Sequence, residues 1–116
     1  MPTASLTGVQ VDILVPVEPA APTVVRLRGE LDIAQVDTVD ADLAPVVAGA
    51  EHDVVIDLEE LQFIDVSGVN LLVRAAAGLH AADRALCLRA PSPILVKVLQ
   101  VAGLEEHLPV LASGEA

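Results

Sequence analysis

The chain reads as a single α/β domain: a mixed, mostly parallel sheet of about four to five strands with the first strand antiparallel, flanked by about three helices. Three observations predict this class. Residues 54–58 and 85–90 are short, almost uniformly apolar runs, as expected of strands with both faces covered. Segments of helical period separate them. The first two strand-like segments are joined only by a proline-rich loop, which suits an antiparallel pair. Alternation of strand and helix then implies parallel pairing through right-handed crossovers.

Val9, Val11, Ile13 and Val15 alternate with Gln10, Asp12 and Leu14, the period of a strand with one covered face. Pro16, Pro19 and Pro22 enforce a loop, and residues 23–29 form the second strand, with Val25 and Leu27 opposed to Arg26 and Arg28. From Asp32 the period becomes helical: Ile33, Val36, Val39, Leu43 and Val46 recur on one face, with Asp32 as N-cap and Gln35 three residues on. Pro45 removes a helical hydrogen bond and crowds the preceding turn, so this helix is expected to stop or kink near Ala44. Residues 54–58 are the central strand, covered by helices on both faces. Residues 59–67 are a loop that ends at a strand-to-helix junction on Ser67.

Val69, Leu72, Val73, Ala76 and Leu79 mark the inner face of the next helix, which ends between Gly78 and Ala82. Residues 85–90 are the following strand. Ser92-Pro93 opens a third helix, with Ser as N-cap and Pro at the first helical position; Ile94, Leu95, Val98 and Leu99 form its apolar face and Gly103 its left-handed stop. A short strand over residues 110–112 completes the order. Loops after parallel strands emerge at one edge of the sheet, so Gly29 to Asp32, Glu59 to Ser67 and Ala90 to Pro93 are expected to converge there.

Length and composition restrict what such a domain does. All 116 residues fall in one domain, with a core over 9–112 and mobile ends at 1–8 and 113–116. Hydrophobic residues make up 53% of the chain and aromatic residues 1%, so the core is built from Val, Leu, Ile and Ala, with Phe63 as a plug beneath its loop or, where partly exposed, an anchor for a partner. The net charge of -11 excludes nucleic acid and anionic membranes as partners. No signal peptide and no apolar run of about 18 residues is present, which places the protein in the cytoplasm.

Cys87 has no disulfide partner and reads as a small buried hydrophobe. His52, His80 and His107 fall at element ends without ligand-like spacing, so no metal site is expected. Glu59-Glu60 and Glu105-Glu106 read as solvated faces. No G-x-G-x-x-G or P-loop segment supplies a nucleotide site. Dimerisation is left open.

Gly29-Glu30-Leu31-Asp32 after one strand and Phe63-Ile64-Asp65-Val66-Ser67-Gly68 after the next carry a resemblance. In their order, spacing and strand-helix context the chain resembles the STAS family, the sulphate-transporter and anti-sigma-factor-antagonist domains, over residues 9–112. A free-standing domain of this length looks most like a bacterial anti-sigma factor antagonist. The resemblance implies that Ser67 is a phosphoacceptor and that Asp32 lies near the site bound by a kinase partner. It implies a partner-binding surface of Glu30, Asp32, Asp65, Val66, Ser67, Gly68 and Asn70. The implied partner is an anti-sigma factor with serine kinase activity, which carries the ATP and Mg2+; a phosphatase resets the switch, and this chain needs no cofactor or catalytic group. Val66 stands where many members have a second hydroxyl residue, which removes an alternative acceptor and keeps Ser67.

Ser67 also has a plain reading as a helix N-cap, and Asp32 and Asp65 as caps in their own right. A constitutive scaffold or regulatory subunit in a transport or stress-sensing assembly, without phosphorylation, is the alternative function. A serine hydrolase is the remote one: the G-x-S-x-G elbow is absent, since position 65 is Asp and position 69 is Val.

Overall fold

In the computed structural model, residues 8–111 apart from positions 19 and 50 are described. The ends expected to be mobile therefore lie, Gly8 aside, outside the described residues. The chain order is β1 (Val9–Leu14), β2 (Thr23–Leu31), α1 (Val36–Ala48), β3 (Val54–Asp57), β4 (Leu61–Ile64), α2 (Val66–Ala81), β5 (Leu86–Arg89) and α3 (Pro93–Ala102).

Strand β2 is the spine of the sheet. On one side β1 runs antiparallel to it, from Val9 opposite Gly29 to Leu14 opposite Val24. Its other edge is shared in succession by two parallel strands, β3 along Thr23 to Arg26 and β4 along Gly29 to Leu31. Strand β5 lies parallel beyond β3, and a single bridge from Leu88 to Val110 continues the series. The expected last strand over 110–112 thus reduces to that bridge, with Ala112 outside the described residues.

Each crossover from β2 to β3, to β5 and to Val110 steps in the same direction. Right-handed connections then lay all three helices on one face. Their buried residues Val39, Leu43, Leu72, Leu79, Leu95 and Leu99 join Val25, Leu27, Ile56 and Leu88 of the sheet in one apolar cluster. The opposite face carries Arg26, Arg28, Asp57 and Arg89, so the expectation of helices on both sides of β3 is corrected. Asp57 is 3% exposed. Arg26 Nε and Arg89 Nη1 each approach its Oδ2 at 3.5 Å, and the Glu59 N–H donates to its Oδ1 at 3.0 Å. A carboxylate buried without such donors would be costly, and here both of its oxygens face a donor.

Several local expectations change for identifiable reasons. Asp32 does not cap α1. Its Oδ1 accepts the Ala34 N–H at 3.0 Å and its main-chain oxygen accepts from Gln35 and Val36, so it closes a turn of its own ahead of the helix. The helix starts one turn later, after Gln35, with no side-chain cap. It also runs through Pro45 to Ala48. Both Pro45 and Ala41, whose carbonyl loses its donor, are exposed, so water can replace the missing bond.

In β1, Val9 and Val11 pack on the core, whereas Ile13 and Val15 are exposed toward and beyond its end. Helix α3 has the expected caps: Ser92 Oγ accepts the Leu95 N–H at 3.1 Å and Gly103 has φ 71°. Only Leu95 and Leu99 of its expected apolar face are buried, while Ile94 and Val98 face outward.

Strand β2 runs two residues past its expected end, with Gly29 at φ 99° and Glu30 and Leu31 paired to β4. A Cβ there would stand 2.2 Å from the Gly8 carbonyl oxygen. Gly29→Ala therefore meets both an unfavourable backbone conformation and a backbone clash, and is expected to lower stability by about 2 kcal/mol or more. Urea denaturation of the two proteins, compared at equal slope, checks it.

Candidate functional site

The segment 59–67, expected to be a loop, is half strand. The chain leaves β3 after Asp57, turns with the Leu61 N–H donating to the Leu58 carbonyl at 3.1 Å, and then rejoins β2 as β4. Leu61 is opposite Gly29 but Phe63 is opposite Glu30, so Gln62 is an extra residue, a β-bulge. The bulge breaks the alternation of side chains. Leu61 and Ile64 both pack against the core, and Phe63 between them turns outward, 50% exposed. Phe63 is therefore a surface ring beside Glu30 and not the expected plug.

Asp65 follows β4 and organises what comes next. Its N–H donates to the Leu31 carbonyl at 3.2 Å, tying it to the end of β2. Its Oδ1 accepts the Gly68 N–H at 3.1 Å and the Ser67 hydroxyl at 2.5 Å, and its Oδ2 accepts the Ile33 N–H at 3.3 Å. The Ser67 hydroxyl is the main cause that holds this carboxyl below the usual carboxylate range; the Gly68, Ile33 and Ser67 amides add to it and desolvation opposes it. Asp65 is thus the N-cap of α2. Ser67 is the second residue of the helix, which corrects the reading of this serine as a cap.

Gly68 sets how closely the helix approaches the sheet. A Cβ at this position would lie 2.7 Å from Ile64 Cγ1 and 2.9 Å from both the side chain and the carbonyl oxygen of Leu31. The first turn of α2 therefore rests directly on the ends of β2 and β4. Ser67 next to it is half-buried, with its oxygen turned to Asp65, while Val66 and Asn70 on either side are exposed.

Of the residues singled out in the sequence, Glu30, Asp32, Asp65, Val66, Ser67, Gly68 and Asn70 all come from two adjoining segments joined by the Ile33 to Asp65 bond. Glu30 is exposed and Asp32 half-buried. The third expected loop is not tied to this pair: Arg89 instead donates to Asp57 and accepts the Leu58 N–H at 2.9 Å, which fixes the end of β5 to β3. One residue of this surface was missed: Ile33 is 78% exposed next to Asp65, having been assigned to the inner face of α1, while Val66 is 72% exposed beside Ser67 and Phe63 faces outward beside Glu30. The Asx turn of Asp32 was the signal that would have placed Ile33 outside the helix.

Other titratable groups lie elsewhere. Cys87 is half-buried on the outer side of β5, where burial and then the Asp53 charge push its thiol up, leaving little reactive thiolate. Among the described residues, no group of three or more His, Cys, Asp or Glu could hold a metal ion, and no helix is long and apolar enough to cross a membrane.

Comparison with known proteins agrees with the fold. The sequence profile of the family described as "Mlab, STAS domain" matches residues 16–112. An anti-sigma F factor antagonist of Lysinibacillus sphaericus is 38% identical over 82 residues, covering 70% of this chain and 70% of that protein. The Bacillus cell fate determinant SpoIIAA in its phosphorylated form superposes with a TM-score of 0.68 at 28% identity, over 90% of this chain and 93% of that one. An anti-sigma factor antagonist from Mycobacterium paratuberculosis gives a TM-score of 0.80 at 19% identity over 97% and 92%, a likeness of fold.

The hydrogen bond from Ser67 has a measurable signature. With its pKa depressed in the folded state, Asp65 contributes stability that is present above its unfolded value near 3.8 and is lost as pH falls through the lower folded value. Followed by the Gly68 and Ile33 amide signals, Asp65 is expected to titrate below 3.8. In Ser67→Ala the midpoint moves up toward that value; an unchanged midpoint would show that the hydroxyl is not the main donor.

Proposed function

Because the chain belongs to the STAS domain family, we propose that it is an anti-sigma factor antagonist whose unmodified form binds an anti-sigma factor and whose phosphorylation at Ser67 ends that binding. The observation that carries this reading is the placement of Ser67: a hydroxyl in the first turn of α2, held by Asp65 and flanked by exposed Val66 and Asn70. An enzyme that engaged Val66 and Asn70 would be beside its acceptor atom.

The proposed partner-facing surface is Glu30, Asp32, Asp65, Val66, Ser67, Gly68 and Asn70, and the exposure of Ile33 and Phe63 supports including them. Exposed apolar side chains surrounded by polar ones are the usual anchors of a protein interface. Ile33, Val66 and Phe63 are such anchors, and Glu30 and Asp32 supply polar contacts at the rim. In the antagonist cycle the partner is an anti-sigma factor with serine kinase activity; it contributes ATP and Mg2+, and a separate phosphatase restores the hydroxyl.

Phosphorylation acts through charge. A phosphate adds about -1.5 to -2 charges and three acceptor oxygens to Ser67. The favourable helix-end position is already occupied by the Asp65 carboxylate, which also accepts the hydroxyl proton that a phosphoester lacks. The added dianion therefore meets Asp65 on one side and must be desolvated by the partner on the other. A penalty of about 3 to 4 kcal/mol weakens binding several-hundred-fold, enough for release.

The test pairs two substitutions in a binding titration with the kinase-like partner. Ser67→Ala is expected to bind and to resist modification, while Ser67→Asp binds at least about tenfold more weakly. Equal binding by both removes the switch and favours a constitutive scaffold. Ile33→Asp should also weaken binding without changing the phosphorylation state of the protein supplied, as read by intact-protein mass spectrometry.

A further inference from the structure

At the far end of α2 from Ser67, about 20 Å away at 1.5 Å rise per residue, lies a cleft that the regulatory surface does not use. It has a volume of about 440 Å3 and opens between the last turns of α2, the start of β5 and the turn that follows α3. His80, Arg84 and His107 line it with a single acid, Glu106. In a chain with 17 acidic and 6 basic residues, this is a local balance of charge, with Arg84 offset by Glu106 alone. Among the described residues, Arg84 has no carboxylate within ion-pair distance.

We propose that this cleft binds a small organic carboxylate with an apolar body. The guanidinium of Arg84 presents a planar fork that suits a carboxylate, and the two imidazoles add donors beside it. The rest of the wall is apolar: three alanines, Leu86 and Pro109, whose short side chains are what leave the space open. Such a lining holds a hydrocarbon body, and the volume falls in the range of small-molecule sites. Glu106 selects against a ligand of higher negative charge.

The experiment is a 15N NMR titration of the whole protein with hexanoate, and in parallel with hexanol and with inorganic phosphate. Hexanoate is expected to give saturable shifts at the amides of His80, Arg84, Leu86 and His107, with those of Val66 to Asn70 unmoved. Hexanol supplies the body without the charge and phosphate the charge without the body, so each should bind at least about tenfold more weakly. Arg84→Gln should weaken hexanoate by about tenfold or more, and Ala77→Leu, which fills the space while keeping every charge, should abolish the shifts; thermal melts confirm that both variants fold. Absence of saturable shifts at these amides, undiminished affinity in Arg84→Gln, or equal binding of hexanol overturns the proposal.

Discussion

One carboxylate organises the functional edge of this domain. Asp65 accepts hydrogen bonds from the Ser67 hydroxyl, the Gly68 amide and the Ile33 amide, while its own N–H is held by Leu31. These four bonds join the end of β2, the turn after it, the end of β4 and the first turn of α2. Without the carboxylate, helix α2 would lose its cap, Ser67 its orientation, and the Asp32 turn its link to the acceptor. On the proposed reading, a phosphate on Ser67 would disturb more than one residue: the hydroxyl is one of three donors that share a single acceptor group, and its replacement by an anion would change the balance for the other two.

The position of that carboxylate depends on packing behind it. Gly68 allows the helix to lie against Ile64 and Leu31 at distances no side chain would permit, and the bulge at Gln62 directs Leu61 and Ile64 inward together. The same irregularity turns Phe63 toward solvent. One extra residue in β4 therefore sets both the inward anchoring of the strand and the outward position of Phe63.

Most of the architecture was legible in the sequence because its signals are local. The β1 to β2 pairing, the Ser92-Pro93 helix start, the Gly103 stop and the two motifs that meet at the site all follow from residue type and spacing. What was not legible depended on pairing. Residues 61–64 form a strand because β2 is long enough to offer an edge to two partners, and no periodicity within four residues announces that. Ile33 fits the helical stripe by spacing, yet the Asx turn of Asp32 delays the helix and leaves it outside. Asp65 was weighed as a cap, but its second role, as the acceptor for Ser67 and Ile33, needs the two loops in contact. Phe63 looked like core because it is the only aromatic residue; the bulge decided otherwise.

The succession of β3 and β4 along one edge of β2 has a kinetic consequence. The stretch that leads to Ser67 is already fixed as a strand, and so a partner encountering it pays little entropy to order a loop. Recognition on such a rigid template resembles the docking of two preformed bodies, whose association rate is set by diffusion and mutual orientation. Modification of Ser67 would then express itself chiefly in how long the complex lasts, so that the same surface can sample partners quickly in either state and retain them in only one.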